Sequence, residues 1–118
     1  MNAKAILLAA AVIVLPVAAV AHHGWSGQED KVSVLDGTIQ SVRYVQPHGQ
    51  IDIVAADKTR WTITLAPLQR MQSRGLTEDK LLVGKAVRIE GNKTLDKDRR
   101  ELKASKITVG GVTTNLMA

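Results

Sequence analysis

The chain of 118 residues is basic, with 16 Lys and Arg against 11 Asp and Glu and a formal net charge of +5. It has no Cys and no Phe, one Tyr and two Trp, which excludes disulfides and thiolate metal ligands and predicts an aliphatic core. Its length suits one small domain and excludes two.

Residues 1–21 have the layout of a signal peptide. Lys4 precedes an uncharged run over residues 5–21 that is shorter than a typical membrane-spanning helix and contains Pro16. The run ends in Ala-Val-Ala at residues 19–21, the small-x-small pattern that signal peptidase accepts. These features predict a cleavable signal peptide and an exported protein, periplasmic or secreted.

Cleavage after Ala21 would make His22 the first residue of a 97-residue chain with a formal charge of +4. Cleavage after Ala19 and an uncleaved anchor are the alternatives. If the cut falls after Ala21, no stable membrane span remains, and His22 carries a free α-amino group. Residues 22–30 would then form an N-terminal arm.

From residue 31 onward, apolar and polar residues alternate with a period of two, which predicts β-strands. The segments are KVSVLDGTIQSVRYV, QIDIVA, RWTITL, AVRIEGN and ELKASKITV. The alternation slips phase in the first segment, around Gly37, and again in the last. We expect β-bulges at these slips, which would let a long strand bend between two sheets.

A short helix is predicted over residues 67–74, where Leu68 and Met71 are three positions apart, Pro67 suits the first turn and Gly75 suits a C-terminal cap. The following segment, TEDKLLVG, offers Thr77 as a helix N-cap and acidic residues in the first turn. Its two leucines, Leu81 and Leu82, are expected to face inward.

The order β-β-β-α-β-β predicts an all-β domain with one short helix, a five-stranded OB-like Greek-key barrel over residues 31–111. An SH3-like barrel is the rival, and the helix between the third and fourth strands disfavours it. Residues 112–118, including Met117, are expected to form a mobile C-terminal tail. The predicted inward residues are Ile39, Val42, Ile51, Ile53, Trp61, Ile63, Leu65, Leu68, Met71, Val87, Ile89, Leu102 and Ile107.

Several stretches together resemble a known group of exported bacterial proteins. They are AHHGW behind the signal peptide, QPHGQI after the first strand, Trp61, LQRMQSRGLTEDKLLVGKAVRIEG and a final A-x-x-I-x-V. The chain resembles domain-of-unknown-function family 6152 from His22 to about residue 111. Leu76 stands where similar proteins usually have an aromatic residue, and Gln46 where they often have Asn. The resemblance implies a small exported β-barrel and no particular activity.

The three histidines suggest a metal site. A free N-terminal His22 offers its α-amine and Nδ1 as a chelating pair, and a second imidazole would complete a histidine brace. His48 and His23 are the candidate further ligands. These nitrogen donors suit copper, with nickel and zinc as alternatives. Cleavage after Val20 would instead produce an amino-terminal Cu(II)/Ni(II) motif, but Val20 is a poor residue before the cut.

Other interpretations stay open for the same residues. In one alternative, His22 and His23 lie at a frayed terminus and have no specific ligand. In the same alternative, the imidazole of His48 caps carbonyl groups of its own loop. Trp61 with Met71 invites comparison with cuprous chaperones, although its alternation with Ile63 favours a core position. Trp25 could anchor the arm to the barrel.

We predict a non-enzyme, since no nucleophile–base arrangement or phosphate-binding glycine loop occurs. The cations are interleaved with acids, as in DKDRRE, and aromatic residues are few, so nucleic acid is not expected as a partner. The prediction is an exported metal-binding protein, with an OB-like module for a periplasmic protein or small ligand as the alternative. The sequence does not indicate its oligomeric state.

Overall fold

Alternating and amphipathic segments fold into six strands and one α-helix. The computed structural model describes residues 27–118, so the predicted signal peptide and the candidate residues His22, His23 and Trp25 lie outside the described residues. The elements are β1 (Ser33–Arg43), β2 (Gln50–Ala55), β3 (Arg60–Thr64), α1 (Leu68–Ser73), a 3₁₀ turn (Glu78–Lys80), β4 (Ala86–Lys93), β5 (Glu101–Val109) and β6 (Val112–Asn115).

The first five strands close into a barrel. Neighbouring strands follow the order β3-β2-β1-β4-β5-β6, and a further pairing joins β3 to β5. That closing pair is parallel and has three register positions, Thr62 to Thr64 against Glu101 to Lys103. The helix α1 lies between β3 and β4 in the chain. The predicted five-stranded OB-like barrel with one short helix is therefore confirmed.

The predicted bulge in β1 lies at Gln40, between the register positions of Ile39 and Ser41. Before the bulge β1 pairs with β4, and toward its end it pairs with β2, so one strand serves both sides of the barrel. Gly37 belongs to both pairings, and a Cβ there would lie 2.6 Å from Val54 O. The absence of a side chain at Gly37 permits this close approach of β1 to β2.

The phase slip predicted in the last strand corresponds to Ser105, which the β4–β5 register skips between Ala104 and Lys106. The Ser105 hydroxyl donates to Glu90 O at 3.1 Å. Opposite the slip, a Cβ on Gly91 would lie 2.1 Å from Lys103 O, so only glycine fits there. The bulge keeps Leu102 and Ile107 on the same, inward face despite their odd spacing.

The core is aliphatic, as composition predicts, and Ile51, Ile53, Ile63, Met71, Ile89 and Ile107 are fully buried in it. All thirteen predicted inward residues are buried or, for Val42, Trp61 and Leu68, partly buried against the core. Leu82 was predicted wrongly: it is 51% exposed, whereas Leu81 is buried. The short 3₁₀ turn ends at Lys80, and the turn that follows directs only the first leucine inward.

The segment predicted as a mobile tail contains β6, which pairs antiparallel with β5 from Val109↔Val112 to Lys106↔Asn115. Gly110 and Gly111 have positive φ values of 60° and 77°, as a tight hairpin turn requires. Thr114 and Leu116 are buried. The tail expectation is corrected here, because a two-glycine turn returns the chain along β5.

Within residues 27–118, no helix combines the length and apolar character needed to cross a membrane.

Candidate metal site and ligand cavities

His48 lies in the β1–β2 loop, residues 44–49, and is exposed. The backbone holds the end of this loop, because Gly49 N donates to Ala66 O and Leu65 N donates to Gly49 O, both at 2.8 Å. At the other end, the Tyr44 hydroxyl donates to Leu76 O at 2.7 Å. His48 therefore stands on a loop that is fixed on both sides, with its imidazole accessible.

A cavity of about 340 Å³ adjoins His48. It lies between the β1–β2 loop, the start of α1, β5 and the residues after β6. Its lining includes His48, Pro67, Arg70, Lys103, Leu116 and Met117. Among the described residues no group of three His, Cys, Asp or Glu side chains could hold a metal ion, so His48 would need ligands of another kind or from the first 26 residues.

The arm, as far as it is described, begins beside the end of β4. Gln28 forms a bridge with Thr94, Glu29 N donates to Lys93 O at 2.8 Å, and Leu95 N donates to Gly27 O at 2.7 Å. The arm therefore precedes β1 and borders the β4–β5 loop, whereas His48 follows β1. The described backbone does not itself bring the arm to His48.

The register indicates how far apart these two regions are. Thr94 N donates to Glu101 O, and Glu101 pairs with Thr62, four residues before the Ala66 that contacts the His48 loop. These contacts amount to four strand spacings of about 4.8 Å and four residue rises of about 3.3 Å, which across a flat sheet would separate the two regions by roughly 23 Å. Five residue steps from Gly27 to His22 span at most about 17 Å. The side chains of His22 and His48 would have to cover the rest of this separation.

A second cavity of about 270 Å³ lies beside Trp61 and the β4–β5 loop. The lining carries a net positive charge, because it contains five Lys and Arg residues and one acidic residue, Glu29. The lining residues are Glu29, Lys31, Trp61, Lys93, Thr94, Lys97, Arg99 and Arg100.

Two neighbouring side chains contact the indole ring of Trp61 at this cavity. Its indole N–H donates to Thr59 Oγ1 at 3.2 Å, and Lys93 Nζ lies 5.0 Å from the ring centroid. Two of the surrounding cations have acidic partners, because Lys97 pairs with Glu29 at 3.3 Å and Arg99 pairs with Glu101 at 2.9 Å. Trp61 is partly buried against the core, as predicted, and the polar edge of its indole ring lies at the cavity.

The outer face of β1, β2 and β3 carries a polar network around Asp52. One carboxylate oxygen accepts from Thr62 Oγ1 at 2.8 Å, and the other accepts from Ser41 Oγ at 2.8 Å and from Arg43 Nη1 at 3.2 Å. Burial alone would raise the pKa of Asp52, but these hydrogen bonds and the charge of Arg43 together hold it below its ordinary value. Asp52 is thus a structural carboxylate that the sequence analysis did not single out.

Sequence reasoning also missed Arg70, Lys103 and Met117 as neighbours of His48. They come from α1, β5 and the residues after β6, and only the folded barrel brings them together. The Gly110-Gly111 pair between two alternating segments was the available signal for the final hairpin.

The described residues form a closed five-stranded OB-like barrel with a loop-borne histidine and two cavities that cationic side chains help to line. The chain belongs to the family of unknown function DUF6152, whose model matches residues 9–103, as the resemblance predicts. No curated protein matches the chain. The family match ends within β5, so β6 and Met117 lie beyond it.

Proposed function

We propose that this protein is an exported copper-binding protein that carries or senses the metal. In the mature chain, the α-amine and imidazole of His22 chelate Cu(II), His48 is the further ligand, and His23 is available as a fourth. Nickel or zinc would use the same nitrogen donors. The α-amine exists as a ligand only after cleavage behind Ala21, so export and metal binding are linked.

The observation that most supports this proposal is the state of His48. Its imidazole is exposed at a cavity, and the loop is held by backbone hydrogen bonds at Gly49 and by Tyr44. A ligand on a fixed loop loses little conformational freedom when it binds a metal. The separation of roughly 23 Å estimated from strand spacing exceeds the reach of about 17 Å from Gly27 to His22 by roughly 6 Å, which the ligating side chains would cover.

Cu(II) titration tests the proposal with protein that begins at a native His22, its start verified by intact mass after export. The comparison proteins are one with an added Gly before His22, which removes the chelating amine, and His48→Ala. Gln46→Ala, in the same loop, is the matched control. We expect each of the first two changes to weaken Cu(II) binding at least about tenfold.

Gln46→Ala should bind Cu(II) as the native protein does. Equal, weak binding by all four proteins would overturn the proposal, because it would mean that Cu(II) meets only unrelated exposed histidines.

The cavity beside Trp61 favours one second candidate, a metal-independent site for a small anion. Five cations and one acid line it, and an aromatic edge borders it. The test is calorimetric titration with inorganic pyrophosphate. We expect Arg100→Ala to weaken binding severalfold, while Arg60→Ala, an exposed residue outside this lining, leaves it unchanged. Equal binding by the two variants would contradict this candidate.

A further inference from the structure

The cavity beside His48 contains a second metal-binding atom type, the thioether of Met117. Met117 is 47% exposed and lines the same cavity as His48. Met71, the other methionine of the described chain, is fully buried in the core. Met117 is thus the accessible thioether of the described residues, and it lines the cavity that the described chain's one histidine also borders.

The backbone of Met117 is held in place and does not belong to a loose tail. Met117 N donates to Asn115 Oδ1 at 2.9 Å, and Met117 O accepts from Arg74 Nη1 at 2.6 Å. The preceding residue, Leu116, is buried; its N–H donates to Ser105 O at 2.8 Å, and its carbonyl accepts from Arg70 Nη1 at 3.1 Å. These contacts, with residues of β5, β6, α1 and the position after α1, hold the backbone of Met117 beside the cavity.

The donor set and the surrounding charge both bear on which ion would bind. A thioether is a soft donor that favours Cu(I), and imidazole nitrogen also binds copper, whereas calcium and magnesium prefer oxygen ligands. Arg70 and Lys103 line the same cavity. Their positive charges oppose either copper ion, about half as strongly for Cu(I) as for Cu(II), so the donor atoms must supply the affinity in both cases.

We propose that His48 and Met117 form a Cu(I) site on this cavity. It rests on the proposed function for the source of the metal, and it extends that function by assigning a ligand set to the reduced ion. His48 would serve both oxidation states, with His22 as its partner for Cu(II) and Met117 as its partner for Cu(I).

The test is anaerobic competition for Cu(I) between the mature protein and a chromogenic cuprous chelator. We expect Met117→Leu to weaken Cu(I) binding at least about tenfold and to change Cu(II) binding less than about twofold. Met71→Leu is the matched control. Met71 packs against Gly49, the residue after His48, but its sulfur is buried and does not line the cavity surface. Met71→Leu should leave Cu(I) binding unchanged.

X-ray absorption of the Cu(I) complex supplies a readout that loss of folding cannot imitate. A sulfur neighbour of copper should be present in the native protein and in Met71→Leu, and absent in Met117→Leu. A spectrum without sulfur in the native protein, or equal Cu(I) affinity in native protein and Met117→Leu, would overturn the Cu(I) site.

Adding Gly before His22 separates the two proposals. If this extended protein loses Cu(II) binding and retains Cu(I) binding through Met117, both proposals hold. Unchanged Cu(II) binding together with a Met117-dependent Cu(I) site would reject the His22 chelate alone.

Discussion

Asp52 shows how a single carboxylate can be stabilised on the outside of a small barrel. Its side chain is 16% exposed, and three donors from β1 and β3 satisfy its two oxygens. The strand register explains the contacts, since Ser41 pairs with Asp52 and Asp52 pairs with Thr62. Because these partners stabilise the charged form, they hold the pKa of Asp52 below its ordinary value near 3.8, despite the opposing effect of burial.

This depressed pKa predicts a sensitivity of folding to acid. Asp52 contributes stability that is fully present above the unfolded-state pKa and is lost as the pH falls through the lower folded-state pKa. We expect the free energy of unfolding of native protein to fall from about pH 5 downward more steeply than that of Asp52→Asn. Urea unfolding at pH 7 and at acidic pH measures this difference.

Asp98→Asn, on the exposed β4–β5 loop, is the control for Asp52 and should behave as the native protein does. Parallel pH profiles for the native protein and Asp52→Asn would show that the network around Asp52 does not couple folding to pH.

At the residue scale, the sequence was informative about His48 and silent about its neighbours. A Pro-His pair between two alternating segments indicates a loop, and His48 lies in the β1–β2 loop. The approach of Arg70, Lys103 and Met117 depends on three separate elements meeting at one end of the barrel. Contacts at such sequence separation leave no local pattern.

At the scale of the elements, the four-residue strand β6 contributes both to the sheet and to the core. It pairs with β5 through four register positions and brings Leu116, which is 2% exposed, onto the core. Strands with one buried face were predictable because apolar residues alternate in them. β6 was missed because its inward residue is Thr114, while its valine, Val112, is 64% exposed.

Truncation of Leu116 tests whether this final segment is part of the folded unit. We expect Leu116→Ala to lower the free energy of unfolding by about 3 kcal/mol, from lost burial and a residual cavity. Val112→Ala, an exposed position in the same strand, should change it by less than about 0.5 kcal/mol. Denaturant titration measures both, and a similar small effect for the two variants would restore the view that residues 112–118 are a tail.

For the whole molecule, the order of elements was sufficient to predict the barrel. Three alternating strands, a helix and two further strands match the OB order, and the bulges at Gln40 and Ser105 appear in the sequence as phase slips. The closing pairing of β3 with β5 is parallel and joins residues about forty positions apart, as crossover connections allow. The separation between the arm and His48 follows from that closure, so it could not be predicted beforehand.

Closure also leaves an edge that Arg74 protects. In the described part of the sheet, β6 lies at the end of the strand order, beside β5. Arg74 Nη1 donates to Asn115 O at 2.8 Å and also to Met117 O, two carbonyls that point to the same side because they belong to alternate residues. A second molecule seeking to add a strand there would meet occupied acceptors and a fixed positive charge. Arg74, which directly follows α1, thereby disfavours the pairing of another strand at this end of β6.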